Sequence, residues 1–294
     1  MKKITLMLLA IVLLLNSKVV AQASQDCTIK YNLFKGEVQT KKYDAAYIKL
    51  VALMNDCPKL SVNIYKFGDK LAKSQFKTAA NKTEFSNLIK KIYEQRLQYF
   101  KKDEAKVHSD YATFLAKNQL ASNEEVFSLL EKAYAIDPSR MGVKNIYKYF
   151  QGVTDRNKDT NAQKVFDTYD DVLESVGKKL DYYAKKLAPI KTKVDNGETL
   201  GKRDKTNLRA YTVNSKALGM VESGLDRMII DLSTCERLVP LYTRDFEVNS
   251  TNGQWLSRAV SRMFTKGCTD EPLYEKLVEA WVAADPSPKT TVYY

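Results

Sequence analysis

The sequence predicts an all-helical protein, and three observations predict it. Only 11 glycines and seven prolines occur among 294 residues, while Leu, Lys, Ala, Tyr and Glu are plentiful, a composition of helix formers with few breakers. No alternating run of β-branched residues bounded by turn signals occurs, so no strand signal competes. Apolar residues recur at steps of three and four, which gathers them on one face of a helix. No low-complexity linker marks a second domain, and the chain is long enough for a sizeable core or an extended repeat array.

The N-terminus reads as a signal peptide over 1–23. Lys2 and Lys3 precede an unbroken apolar run from Ile4 to Leu15, and Ala21-Gln22-Ala23 supplies a small-x-small cleavage site. That run of 12 residues is short of the ~20 needed to span a bilayer. Cys27 follows Ser24-Gln25-Asp26, which does not suit lipid attachment. The expected location is therefore exported: the periplasm or envelope of a Gram-negative-type bacterium, or outside the cell, with no transmembrane anchor in the mature chain.

An exported chain permits disulfides. Four cysteines allow three pairings, and four free buried thiols are the alternative. An antiparallel helix pair brings the start of its first helix beside the end of its second. Cys27 and Cys57 occupy those places in "CTIKYNLFKGEVQTKKYDAAYIKLVALMNDCP". Cys235 opens a helix and Cys268 closes the next. Helical geometry thus pairs Cys27 with Cys57 and Cys235 with Cys268. Each bridge would close a loop of about thirty residues, worth ~3–4 kcal/mol.

Self-similarity locates the repeats. The segments "YIKLVALMNDCP", "FSLLEKAYAIDP" and "YEKLVEAWVAADP" are amphipathic helices broken just before a proline, which cannot continue the i→i−4 ladder. Leu33, Tyr43, Ala46, Leu50 and Pro58 in a first unit resemble the tetratricopeptide repeat. So do Leu130, Ala133 and Pro138 in a second, with Tyr111 and Phe114 before them, and Trp255 and Ala259 in a later one. The resemblance covers about half the mature chain and implies 34-residue hairpins stacked as a right-handed solenoid. It also implies a scaffold that presents its concave face to a protein partner and does no chemistry.

The middle departs from that pattern. Phe166, Tyr169, Leu173, Val176, Leu180, Tyr183 and Leu187 form one long stripe, expected to stop at Pro189. A polar loop is expected over 191–203, and a second stripe runs through Leu208, Tyr211, Leu218, Leu225, Ile229 and Leu232. The expected organisation is a signal peptide (1–23), N-terminal repeat-like hairpins (24–155), an elongated helical pair (156–233) and C-terminal hairpins (234–294). The chain ends at "DPSPKTTVYY", where another helix should begin, so the 294 residues are expected to be a fragment of a longer repeat protein.

Charge and motifs bound the function. The net charge of +12 falls to +9 once Lys2, Lys3 and Lys18 leave with the signal. Lys30 to Lys106 holds 17 basic and eight acidic residues, a net +9. From Val107 onward 27 basic face 26 acidic residues. A basic N-terminal third suits an anionic polysaccharide, lipid headgroup or acidic protein, although scattered lysines also serve as a solvated surface. His108 is the only histidine, so triads and multi-histidine metal sites are excluded. Phosphate-cradling and nucleophile-elbow motifs do not occur. Glu124-Glu125 and Asp170-Asp171 read as solvated pairs. Asp155, Asn157 and Asp159 begin like a calcium loop, but Thr160 and Phe166 stand where glycine and glutamate are required. The expected function is an exported, non-enzymatic scaffold for protein–protein interaction, without cofactor or metal. The alternative is a module for envelope polyanions; an exported chain is not expected to meet nucleic acid.

Overall fold

The computed structural model describes residues 25–284; the segment expected to be a signal peptide (1–23) and the C-terminal decapeptide lie outside them. Among the described residues every regular element is helical, so the chain is all-α. No helix among them is long and apolar enough to cross a membrane. The contacts form two compact units, one ending at Ile136 and the other beginning at Asp137. Asp137-Pro138 has the same form as the breaks that end repeat helices, so nothing in the sequence sets this junction apart from an ordinary hairpin turn.

The first unit holds α1 (25–39), α2 (Tyr43–Asp56), α3 (Val62–Thr78), α4 (Lys82–Tyr99), α5 (Glu104–Asn118) and α6 (Asn123–Ile136). Sequence neighbours pack as antiparallel pairs. Lys30 reaches Asp56 at 3.5 Å and Lys49 reaches Glu37 at 2.6 Å across α1–α2, and the Sγ atoms of Cys27 and Cys57 are 2.03 Å apart. One continuous core runs from Phe34 and Val38 through Leu50, Tyr65 and Ile92 to Phe114. Aromatic pairs knit successive helices: Tyr93 stacks on Tyr111 at 4.7 Å, and Phe76 meets Phe114 edge-on at 5.2 Å.

Small residues permit the close approaches. Ala46 and Ala133 are fully buried, as the repeat pattern requires. Gly68 has the same role unannounced: a Cβ there would lie 2.8 Å from a Leu50 methyl carbon. Leu33 departs from the expected packing. It is 55% exposed while its neighbour Phe34 is fully buried, because the larger ring takes the core-facing register one position on.

The second unit holds α7 (Val143–Asn157), α8 (Ala162–Asp195), α9 (Lys202–Ile230), α10 (Cys235–Asn249), α11 (Gly253–Thr265) and α12 (Pro272–Ala284). The elongated pair is α8–α9, with α8 spanning 34 residues, about 50 Å. α8 does not stop at Pro189 but runs six residues past it. The ring forfeits one bond to the carbonyl of Lys185, an exposed residue whose oxygen water can satisfy. The polar loop therefore shrinks to 196–201. Beside this pair, Phe150 of α7 meets Tyr169 edge-on at 6.0 Å. The Sγ atoms of Cys235 and Cys268 lie 2.13 Å apart, joining α10 to the end of α11.

Some helix ends share a left-handed cap. Gly267 has φ +72°, the Gly267 N–H reaches Phe264 O at 3.1 Å, and the Cys268 N–H reaches Met263 O at 2.8 Å. This is the two-bond left-handed cap that satisfies orphan carbonyls. α1 ends the same way, but with Lys41 at φ 61°. α6 starts with a capping box, in which the Ser122 N–H donates to Glu125 at 2.8 Å and the Glu125 N–H donates to Ser122 Oγ at 3.2 Å. Glu125, exposed like Glu124, thus also serves as a cap. Lys41→Gly should raise stability by ~0.5–1 kcal/mol and Gly267→Ala should lower it by about as much, both read from urea midpoints at unchanged m.

Candidate ligand-binding cleft

The richest polar chemistry lies in the second unit, where α8 and α9 face α10 and α11. Its foundation is a buried network. Arg262 of α11 donates to Tyr242 Oη at 2.7 Å, lies 3.8 Å from Asp226 of α9, and holds its guanidinium 4.5 Å from the centre of the Tyr169 ring on α8. The Tyr169 hydroxyl donates to Asp226. Trp255 meets Tyr242 edge-on at 5.4 Å. One cation thereby links four helices, with a ring face replacing part of its lost hydration. Burial pushes the phenol of Tyr242 up to about 12, although Arg262 pulls it down. Burial likewise raises Tyr169.

Three clefts lie along α11, and one of them opens onto Arg262 and Asp226. One, of about 390 Å³, is walled by Asp170, Asp171, Glu174, Arg244 and Arg258. A second, of about 650 Å³, adds an apolar wall of Leu173, Val176, Leu180 and Trp281. A third, of about 280 Å³, is lined by Asp226, Ser257, Ser261 and Arg262. Arg258 lines all three.

The charges in these clefts fall into two classes. Arg244 is spent on Asp167 at 2.7 Å and Asp245 at 2.6 Å, and Lys178 on Glu174 at 2.5 Å. Arg258 and Asp170 have no ion pair within 4 Å among the described residues. The Nε of Arg258 is buried without a hydrogen-bond partner. Burial pushes the Asp170 carboxyl up to about 6, against the opposing pull of Arg262 and Arg258. An unmet donor and a poorly solvated acid beside an apolar wall are the elements of a site that orients a polar ligand.

The residues singled out in the sequence fall elsewhere or change meaning. Asp155 and Asn157 lie within α7, and the Asn157 side chain donates to Val153 O at 2.7 Å, so they form no open loop. His108 sits on α5 of the first unit, 3.8 Å from Glu104, and burial lowers its pKa. Both members of the aspartate pair line the cleft, Asp171 exposed and Asp170 half-buried. Arg258 and Arg262 were missed. Their signal was present in "WLSRAVSRM": two arginines four residues apart, bordering the Trp255, Ala259 and Met263 stripe. Among the described residues no three His, Cys, Asp or Glu side chains gather as metal ligands would. Compared with known protein families, curated proteins and solved structures, this chain has no match.

Asp170 gives the cleft a pH signature. Its carboxyl is raised in the folded chain to about 6 from an unfolded value near 4. The folded state therefore binds the extra proton between those values, and stability falls as pH rises through that window. Asp170→Asn should flatten the slope between about pH 4 and 6 and raise stability at neutral pH by about 2 kcal/mol. Urea denaturation of both proteins across that range checks this. An unchanged slope would remove Asp170 from the buried set.

Proposed function

We propose that the chain is an exported helical-repeat scaffold, a tetratricopeptide-like right-handed solenoid that holds a segment of a protein partner in the bacterial envelope. It does no chemistry of its own. The observation that carries this reading is Arg258, whose buried Nε has no partner where three clefts meet. Its guanidinium has no ion pair among the described residues and lines all three clefts, so a carboxylate or main-chain carbonyl brought by a partner would meet an uncommitted donor there. The wall of Leu173, Val176 and Trp281 supplies apolar area beside it, in the manner of a groove that seats a peptide. Both cysteine pairs at bonding distance fit an oxidising compartment outside the cytoplasm.

A second reading, binding of an envelope polyanion by the basic 30–106 region, has its own observation. A cleft of about 560 Å³ between α3 and α5 is lined by Lys73, Lys77 and Lys117 against the single acid Asp110. Lys73 is already committed to Asp69 at 2.9 Å and Tyr93 at 2.8 Å, which leaves two lysines for a ligand and makes this the weaker case. Salt separates the readings, since surface charge contacts are screened and a seated peptide is not.

Tagged mature protein crosslinked in cells of its own source, and washed at low and high salt, tests the proposal. A defined protein should survive high salt, and Arg258→Ala should reduce its recovery at least about tenfold. Recovery of polysaccharide or lipid alone, removed by salt and indifferent to Arg258→Ala, would establish the second reading instead.

A further inference from the structure

The distal part of the α8–α9 hairpin, residues 178–216, differs from everything around it. It carries eleven basic and four acidic residues, a net +7. The remaining described residues of its unit, 137–177 and 217–284, carry thirteen basic and seventeen acidic residues, a net −4. Within the arm only Leu187 and Ile190 are buried, so two helices share one seam and the rest faces solvent. Lys193 and Asp204 close its tip at 2.8 Å. Tyr183 stacks on Tyr211 at 5.7 Å across the seam. Lys185, Lys186, Lys202, Lys205, Arg209 and Lys216 are exposed, and none has an ion pair within 4 Å among the described residues.

We infer that this arm is an adsorption surface for an anionic lipid membrane. At 100° per residue, Lys178, Tyr182, Lys185, Lys186 and Lys193 fall on one side of α8, along about 22 Å of a straight rod. Asp181 borders that side, about 40° beyond Lys185, and Asp195 lies farther round. A plane of headgroups can meet such a line at every point along it. Of the stripe's lysines, Lys178 and Lys193 are held by Glu174 and Asp204, which leaves Lys185 and Lys186 on α8, with Lys202, Lys205, Arg209 and Lys216 on α9, as the cations that face diffuse negative potential. Tyr182 sits among them, 51% exposed, with the Lys186 Nζ 5.7 Å from its ring centre. An amphipathic ring flanked by lysines is the composition of a headgroup-level anchor. Each lysine near an anionic surface strengthens partition roughly fivefold. The apolar seam is already used between the helices, so binding is electrostatic adsorption and weakens with salt.

Co-sedimentation of the mature chain with vesicles tests this, comparing phosphatidylglycerol-containing with pure phosphatidylcholine membranes. The arm variant is Lys185→Glu/Lys186→Glu/Lys205→Glu/Arg209→Glu. A charge-matched control, Lys42→Glu/Lys66→Glu/Lys70→Glu/Lys102→Glu, alters exposed lysines of the first unit that line no cleft named above. Wild type should partition onto phosphatidylglycerol vesicles only. The arm variant should lose on the order of a hundredfold or more in partition, and the control only a few-fold. Equal losses in both, retention by the arm variant, or tighter binding to soluble alginate than to vesicles would overturn the proposal. Tyr182→Trp gives a readout that does not depend on charge reversal. Its emission should shift to the blue on phosphatidylglycerol vesicles, and an unshifted spectrum counts against the arm.

Discussion

A pair of antiparallel helices has a single seam, and that constraint organises both units. One seam buries one stripe per helix and leaves the opposite apolar residues wet, so a hairpin is stable only when another element covers its second face. In the first unit each pair is covered by the next, and the core runs unbroken from Phe34 to Phe114. Gly68 and the two buried alanines set how closely those layers approach. In the second unit the same constraint is met at the base of α8 and α9, where Val165 to Val176 and Leu218 to Ile229 are buried, and is left unmet beyond. The arm stays helical there through its stacked tyrosines, its tip ion pair and the left-handed cap at Gly197.

Burial is also the source of the cleft's chemistry. Arg262 is only 13% exposed at its side chain, and such a charge is tolerated only with excellent partners. Tyr242, Asp226 and the Tyr169 ring provide them. Arg258, one turn earlier on the same helix, lies at the margin of that network and keeps an unmet Nε. Asp170 shares the desolvation without sharing a bonded cation, so its proton is held more tightly than an ordinary aspartate's. Two arginines of one helix thus receive opposite treatments, set by which neighbours the long α8–α9 pair brings to each.

What the sequence revealed depended on whether the signal was local. The cysteine pairs at bonding distance are the two that helix lengths impose, because spacings of 30 and 33 residues match one hairpin each. Ala46 and Ala133 were legible from their offsets to the closing prolines. Leu33 was not distinguishable from Phe34, since adjacent apolar residues both fit a broad stripe and only packing selects one. Pro189 was read as a stop because its cost was judged without knowing that Lys185, whose carbonyl loses its partner, is an exposed residue. Asp170 was unreadable as a buried acid. Its neighbour Asp171 is identical in type, and only the approach of α10 and α11 separates them.

The arm shows a different kind of concealment. From Val107 onward the charges nearly cancel, 27 basic against 26 acidic, and a sum over that length reports neutrality. The cancellation is spatially empty. The rest of the second unit carries seventeen acids against thirteen bases, while the part of α8–α9 that nothing covers carries eleven bases against four acids. At physiological ionic strength charges farther apart than about 8 Å are largely screened from one another. The arm, extending about 30 Å beyond Val176 of α8, therefore presents its own +7 to any partner rather than the near-zero total of the sequence around it.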